Sequence, residues 1–238
     1  MPTLITLSRD FGAGPMAIHT GLLSEQHAFR GSVGGKGVFP LWLPAEGVPD
    51  DGLRVIAERL CNLSDATLDW ASSVFPGSTD VWQDAYDYVL AVLSAPTYVE
   101  QLWPTLESSW PRVPLSADLA LCALGASLGS RLRAAWERKV PFSGISWSGK
   151  PTAVTLGKAS HTGDTVEFAH GRKLSGVSFD AWSFQVSGYR VLPEWLAGRV
   201  HWSATPAQAR ETQIVVAAVT ALANMRGQLD DWFVRISC

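Results

Sequence analysis

The apolar residues of this 238-residue chain change period twice, at Asp51 and at Pro141, and those two changes limit the folds open to it. Between them the spacing is helical. Leu53, Ile56, Ala57 and Leu60 mark one helical face, and Asp80 is a good N-cap for a second helix carrying Val81, Ala85, Tyr88, Val89 and Val92. Pro96 ends that helix, and Thr97 starts another with Tyr98, Leu102 and Trp103. Ser116 caps a long pattern through Leu119, Leu121, Leu124, Leu128, Leu132 and Trp136. Several short helices in succession predict a small bundle. Beyond Pro141 come short strands separated by glycines: Gly144 to Trp147, Ala153 to Leu156, and Val166 to Ala169.

The stretch from Trp182 to Arg199 is the densest in signals. Trp182, Phe184 and Val186 alternate with polar residues, which predicts a half-buried strand. Ser187-Gly188 then predicts a turn. Val191, Leu192, Trp195 and Leu196 fall on one face of a helix, leaving Tyr189, Arg190, Arg199 and His201 at the turn and the far end. Thr205-Pro206 reads as a cap followed by proline at the first helical position. The pattern after it runs through Ile214, Val215, Ala218, Leu222, Met225, Leu229 and Trp232 as one long closing helix. At the other end, Leu4 to Leu7 and the run Phe39 to Leu43 predict strands, the second of them buried. The expected fold is therefore α+β. A strand and loop segment (1–45) and a helical bundle (46–140) are followed by a β-rich segment (141–204). A C-terminal helix (205–238) packs back on the bundle.

At 47% hydrophobic residues, with eleven tryptophans, the chain has enough apolar surface for a sizeable core. Cys61, Cys122 and Cys238 are odd in number and lack C-x-x-C spacing, which predicts a reducing, cytoplasmic setting. No apolar run approaches the roughly 18 residues of a membrane span. The net charge of −3 conceals an uneven distribution. Residues 46–118 carry three basic side chains against twelve acidic, and residues 119–201 carry ten basic against five acidic. A local basic surface counts for more in phosphate binding than the total. Arg131, Arg133, Arg138 and Lys139 lie near a helix C-terminus, where the helix dipole already accounts for cations.

Several catalytic patterns fail on inspection. Phe11-Gly12-Ala13-Gly14 resembles a turn that binds S-adenosylmethionine, but Pro15 follows at once and no N-P-P-[YF] motif occurs. Gly31 to Gly37 is one residue short of a P-loop and lacks its hydroxyl residue, leaving a loop that presents Arg30 and Lys36. Gly144 to Gly149 misses the nucleophile elbow by one position. The histidines and cysteines show no metal-ligand spacing. No cofactor is expected.

Four motifs carry a resemblance. His27-Ala28-Phe29-Arg30-Gly31 with Gly35 to Leu43 is one, and Tyr86 to Tyr98 is the second. Trp110 to Leu115 and the stretch from Trp182 to Arg199 are the others. In this order they resemble the C-terminal part of type ISP restriction-modification enzymes and related single-chain adenine methyltransferase-endonucleases. The resemblance implies a helical coupler joined to a target recognition domain that reads double-stranded DNA without catalysing anything itself. A methyltransferase or nuclease, as a partner subunit or as preceding domains, would supply the chemistry. The side chains expected at DNA are Arg30 and Lys36 of the glycine-rich loop, Lys150, Lys158, Arg172 and Lys173 of the loops between the short strands, and Tyr189, Arg190 and Arg199 of the last motif. An interaction module that kept the fold without reading DNA is the alternative, motivated by the acidic block. A small S-adenosylmethionine-dependent or hydrolytic enzyme is a third reading.

Overall fold

The computed structural model describes residues 2–6, 14–21, 37–44, 59–106, 109–148, 155–186, 188–203 and 205–237. Strands β1 (Thr3–Thr6), β2 (Ala17–Thr20), β3 (Val38–Pro40), β4 (Trp42–Pro44) and β5 (Arg59–Cys61) come first. Helices α1 (Asp65–Val74), α2 (Val81–Ser94), α3 (Pro96–Leu106) and α4 (Leu119–Trp136) follow. Then come β6 (Ser146–Ser148), β7 (Ser160–Thr162), β8 (Thr165–Glu167), β9 (Lys173–Ser175) and α5 (Phe179–Ser183). The chain closes with β10 (Gln185–Val186), β11 (Tyr189–Arg190), α6 (Val191–Ala197), α7 (Pro206–Asn224) and α8 (Arg226–Ile236). The fold is α+β. Among the described residues no helix is long and apolar enough to cross a membrane. The chain forms two compact units, one from residues 1–10, 15–133 and 229–238, the other from 11–14 and 134–228.

In the first unit β1 is the centre of an antiparallel sheet ordered β2-β1-β3, and all four of its residues are buried. The run Phe39 to Leu43 is not one buried strand. It bends at Leu41, whose N–H donates to the Pro2 carbonyl (2.9 Å), so that β3 and β4 join different sheets and leave Phe39 and Leu43 exposed. The helix expected from Leu53 to Leu60 is revised at Leu60 alone. Residues 51–58 lie outside the described ones, and Arg59–Cys61 pairs with β4 as a strand.

The helices of this unit start where their caps dictate. The Asp80 carboxylate accepts from the Gln83 N–H (3.1 Å) to open α2. Ala95 is extended, as a residue before proline must be, and Pro96 begins α3 rather than merely ending α2. Asp118, not Ser116, caps α4, accepting from the N–H groups of Ala120 (2.8 Å) and Leu121 (3.0 Å). Two glycines one turn apart on α4 allow close packing. A Cβ at Gly129 would overlap the main-chain carbonyl of Asp87 on α2, and one at Gly125 would strike Trp232 and Tyr88.

The tyrosines of the Tyr86 to Tyr98 motif are structural. Tyr88 and Tyr98 are fully buried and donate to the carbonyls of Pro114 (2.9 Å) and Arg112 (3.1 Å), pinning the proline-rich connector to α2 and α3. Burial pushes both phenols up to about 12. Trp232 stands edge-on to Tyr88 and donates to the Leu121 carbonyl (2.8 Å), which brings α8 into this core. Arg133 grips the buried Asp87 through two bonds of 2.8 and 2.9 Å, so its cation answers a carboxylate as well as the helix dipole. Burial raises the Asp87 carboxyl above its ordinary value in spite of Arg133.

The second unit is built on an antiparallel sheet ordered β6-β9-β8-β7. Its middle register row is Trp147, Leu174, Val166 and His161, of which Leu174 and Val166 are completely buried. Trp147 donates to the Ala209 carbonyl (3.1 Å) and Gln213 to the Ile145 carbonyl (2.7 Å), so α7 meets the β6 end of this row. A capping box between Thr205 and Gln208 starts α7, and the closing pattern bends at Met225 into α8. Residues up to 228 belong to this unit and those from 229 to the other.

The strand expected from Trp182 begins later than its alternation predicts, at Gln185, because Trp182 and Ser183 end a helix. The Ser178 side chain accepts from the Ala181 N–H (3.2 Å) and turns Phe179–Ser183 into α5, leaving only Gln185–Val186 extended. At Trp182 and Ser183 a local cap outweighs alternation. Ser187 lies outside the described residues, while the turn at Gly188 and the helix after it are as expected. Gly188 has φ +80°, and Leu192 and Leu196 are the buried face of α6. Residues 149–154, including the first half of the strand expected from Ala153 to Leu156, lie outside the described ones, and 155–159 join no sheet.

Candidate nucleic-acid interface

The β6-β9-β8-β7 sheet has period-2 side-chain alternation, so fixing its middle row inward fixes the flanking rows outward. The register makes one outward row Ser146, Ser175, Thr165 and Thr162, and the other Ser148, Lys173, Glu167 and Ser160. Six of these eight side chains are hydroxyls. The remaining two, Lys173 and Glu167, form an exposed ion pair of 2.6 Å across the strands, so the face carries no net charge. Hydroxyls donate and accept with little entropy cost, and they serve equally at phosphates and at base edges. Sequence inspection missed these rows, because only the strand register brings such scattered serines and threonines onto one face.

Lys158 lies just before β7 and is exposed. Its position is set by neighbouring backbone. Leu156 and Gly157 donate to the carbonyls of Trp202 (2.6 Å) and Val200 (2.9 Å), and the Ala169 N–H donates to Leu156 (3.0 Å). Gly157 needs to be glycine there, since its φ is +68° and a Cβ would press on that of Ala169.

Tyr189 and Arg190 form β11 and pair with β10 in a hairpin whose register is Val186 to Tyr189 and Gln185 to Arg190. Both side chains are exposed, Tyr189 by 50%. Among the described residues Arg190 has no ion pair, so its charge is available to a ligand. Gly14 lies against the other strand of this hairpin, with φ +95° and no room for a Cβ beside the Gln185 carbonyl.

Arg172 and Arg199 are placed differently. Arg172 is only 5% exposed, and its guanidinium lies 4.9 Å from the centre of the Trp147 ring. The chain reaches this position through His170 and Gly171, both left-handed at φ +63° and +74°. Arg199 lies 3.8 Å from the Trp195 ring centre and 5.0 Å from that of Trp202, and donates to the Trp195 carbonyl (2.9 Å). Cations held against indole faces in this way contribute to packing. Arg30, Lys36 and Lys150 lie outside the described residues. The second unit thus presents Lys158, Tyr189, Arg190 and a hydroxyl-lined sheet face to solvent, with Lys173 already matched to Glu167.

Among the described residues no group of three or more His, Cys, Asp and Glu side chains is placed to hold a metal ion. No curated protein is a significant match to the chain. Solved structures do resemble it. The ATP-dependent Type ISP restriction-modification enzyme LlaBIII bound to DNA is similar over 98% of this chain, with a TM-score of 0.66 and 16% identity. The DrdV–DNA complex is similar over 97%, with a TM-score of 0.65 and 18% identity. A nuclease-deletion mutant of the Type ISP enzyme LlaGI with a DNA substrate mimic is similar over 97%, with a TM-score of 0.59 and 16% identity. The present chain spans 16%, 24% and 21% of those three chains, respectively. The model of the Type ISP C-terminal specificity domain matches residues 3–217, and the chain belongs to that family.

Proposed function

We propose that this chain is the sequence-recognition module of a restriction-modification system, reading double-stranded DNA in the cytoplasm and catalysing no step itself. The observation that carries this reading is membership of a specificity-domain family, in a fold shared with enzymes solved on DNA. Those enzymes are more than four times longer, which supports a methyltransferase and nuclease elsewhere in the same polypeptide or on a partner.

Within the module, Lys158 and Arg190 neutralise phosphates and set the register on the duplex, with Arg30, Lys36 and Lys150 as further cations. Tyr189 and the outward hydroxyl rows meet sugar, phosphate and base edges. Arg172 and Arg199 act through structure, holding their loops against Trp147, Trp195 and Trp202. Selection from a randomised duplex pool, followed by electrophoretic mobility shifts at several salt concentrations, tests the reading. A recovered consensus bound with a negative salt slope is the expected result. Duplex binding that is absent or indifferent to salt, with and without a methyltransferase partner, overturns it.

A further inference from the structure

At the turn end of the β6-β9-β8-β7 sheet three rings converge on the surface of the second unit. His161 of β7 stacks on Trp182 of α5, with centroids 5.2 Å apart and planes within 10°. Phe179, one helical turn earlier, lies 6.4 Å from the same imidazole and is 68% exposed, more than any other large apolar side chain among the described residues. The cluster is held in place by main chain. The Asp164 carbonyl accepts from both Gly176 and Val177 N–H groups (3.0 Å each), drawing the start of α5 onto the β7–β8 hairpin. The His161 Nε2 bonds the Val177 carbonyl (2.8 Å), which fixes the imidazole plane.

Two acidic residues adjoin this cluster through the main chain. Asp164 occupies the hairpin turn and Asp180 follows Phe179, both exposed and neither in an ion pair among the described residues. No described cation lies over Phe179 or Trp182. Elsewhere in this unit an indole face exposed to a loop is covered by a guanidinium, as Trp147 is by Arg172 and Trp195 by Arg199. Two carboxylates disfavour a phosphate backbone and favour a cation, and aromatic faces favour the flat, weakly hydrated guanidinium over an ammonium.

We propose that Phe179, Trp182 and His161, flanked by Asp164 and Asp180, form a docking surface for an arginine side chain of a polypeptide partner. This surface is separate from the DNA-reading residues and does not rest on that assignment. The test is a titration of the whole chain followed through the indole N–H resonance of Trp182, identified by its loss in Trp182→Phe. A tetra-arginine peptide moves that resonance saturably, and the same peptide with neutral citrulline does not. Phe179→Ala, and separately the pair Asp164→Asn with Asp180→Asn, weaken the peptide by about two- to five-fold. Because Phe179 is exposed, its variant keeps the thermal midpoint and the duplex affinity of the parent. A single-stranded dodecanucleotide is the competing probe. If it moves the resonance and the arginine peptide does not, the rings are a base-stacking surface and the proposal is overturned. It is overturned equally if neither probe acts, if the variants bind the peptide unchanged, or if Phe179→Ala loses duplex binding.

Discussion

A charge that looks the same in sequence has two fates in this protein, decided by what stands over it. Arg190 projects from a hairpin, whereas Arg172 is 5% exposed beneath Trp147. The expected outcome of Arg190→Ala is unchanged urea stability with weaker duplex binding and a salt slope shallower by about one. Arg172→Ala should instead lower the stability of the second unit, read as an earlier urea transition, by leaving a void beneath an indole. Glycine shows a similar contrast. Gly129→Ala drives a methyl into the Asp87 main chain and should cost about 1–3 kcal/mol. Gly227→Ala meets nothing within 4 Å on α8 and should be neutral or stabilising by up to about 1 kcal/mol. Neither contrast was legible from the residues alone, because each depends on a neighbour distant in the chain.

Elements were legible where a cap or a clear apolar spacing gave an unopposed local signal. α2 begins after Asp80 and α6 carries its apolar face as the spacing predicts, since the signals there are local and agree. The strand from Trp182 was right only at Gln185 and Val186, because at Trp182 and Ser183 alternation competes poorly with one serine capping a helical turn. The outward hydroxyl rows were invisible for a different reason, since register is a relation between strands. The tyrosine motif was visible as a pattern, but its role depends on the carbonyls it meets. Tyr88 and Tyr98 ionise near 12 in the folded protein and near 10 when unfolded, so the native state holds their protons longer. Their stabilisation is complete below pH 10 and is lost as pH rises from 10 through 12, amounting to roughly 2–3 kcal/mol for each residue. Alkaline titration followed at the phenolate absorbance should show these two tyrosines ionising last or together with unfolding. Early, reversible ionisation of both would show that the connector is not pinned as described.

At the scale of the whole molecule, the period changes anticipated an α+β chain. They did not anticipate the interleaving of the two units along the sequence. The main body of the second unit is inserted after Arg133 and ends before Leu229, and residues 11–14 also belong to this unit. What sits on either side of it in the chain is a single core, in which Trp232 bonds Leu121 and the Asp230 carboxylate accepts from the Thr97 N–H (2.7 Å). Removing residues 229–238 should therefore lower the melting transition of the unit built on α2 and α4, while the unit built on the β6-β9-β8-β7 sheet keeps its own. Hydrogen exchange resolved by segment distinguishes the two.

The bend at Met225 has a consequence for the order of events during synthesis. Because the chain leaves α7 and donates Trp232 to a core begun more than a hundred residues earlier, that core stays open while the intervening unit is translated and folded. The N-terminal half is thus the later to be finished, and a nascent chain halted before Leu229 exposes the slot between Tyr88 and Gly125 that the indole fills.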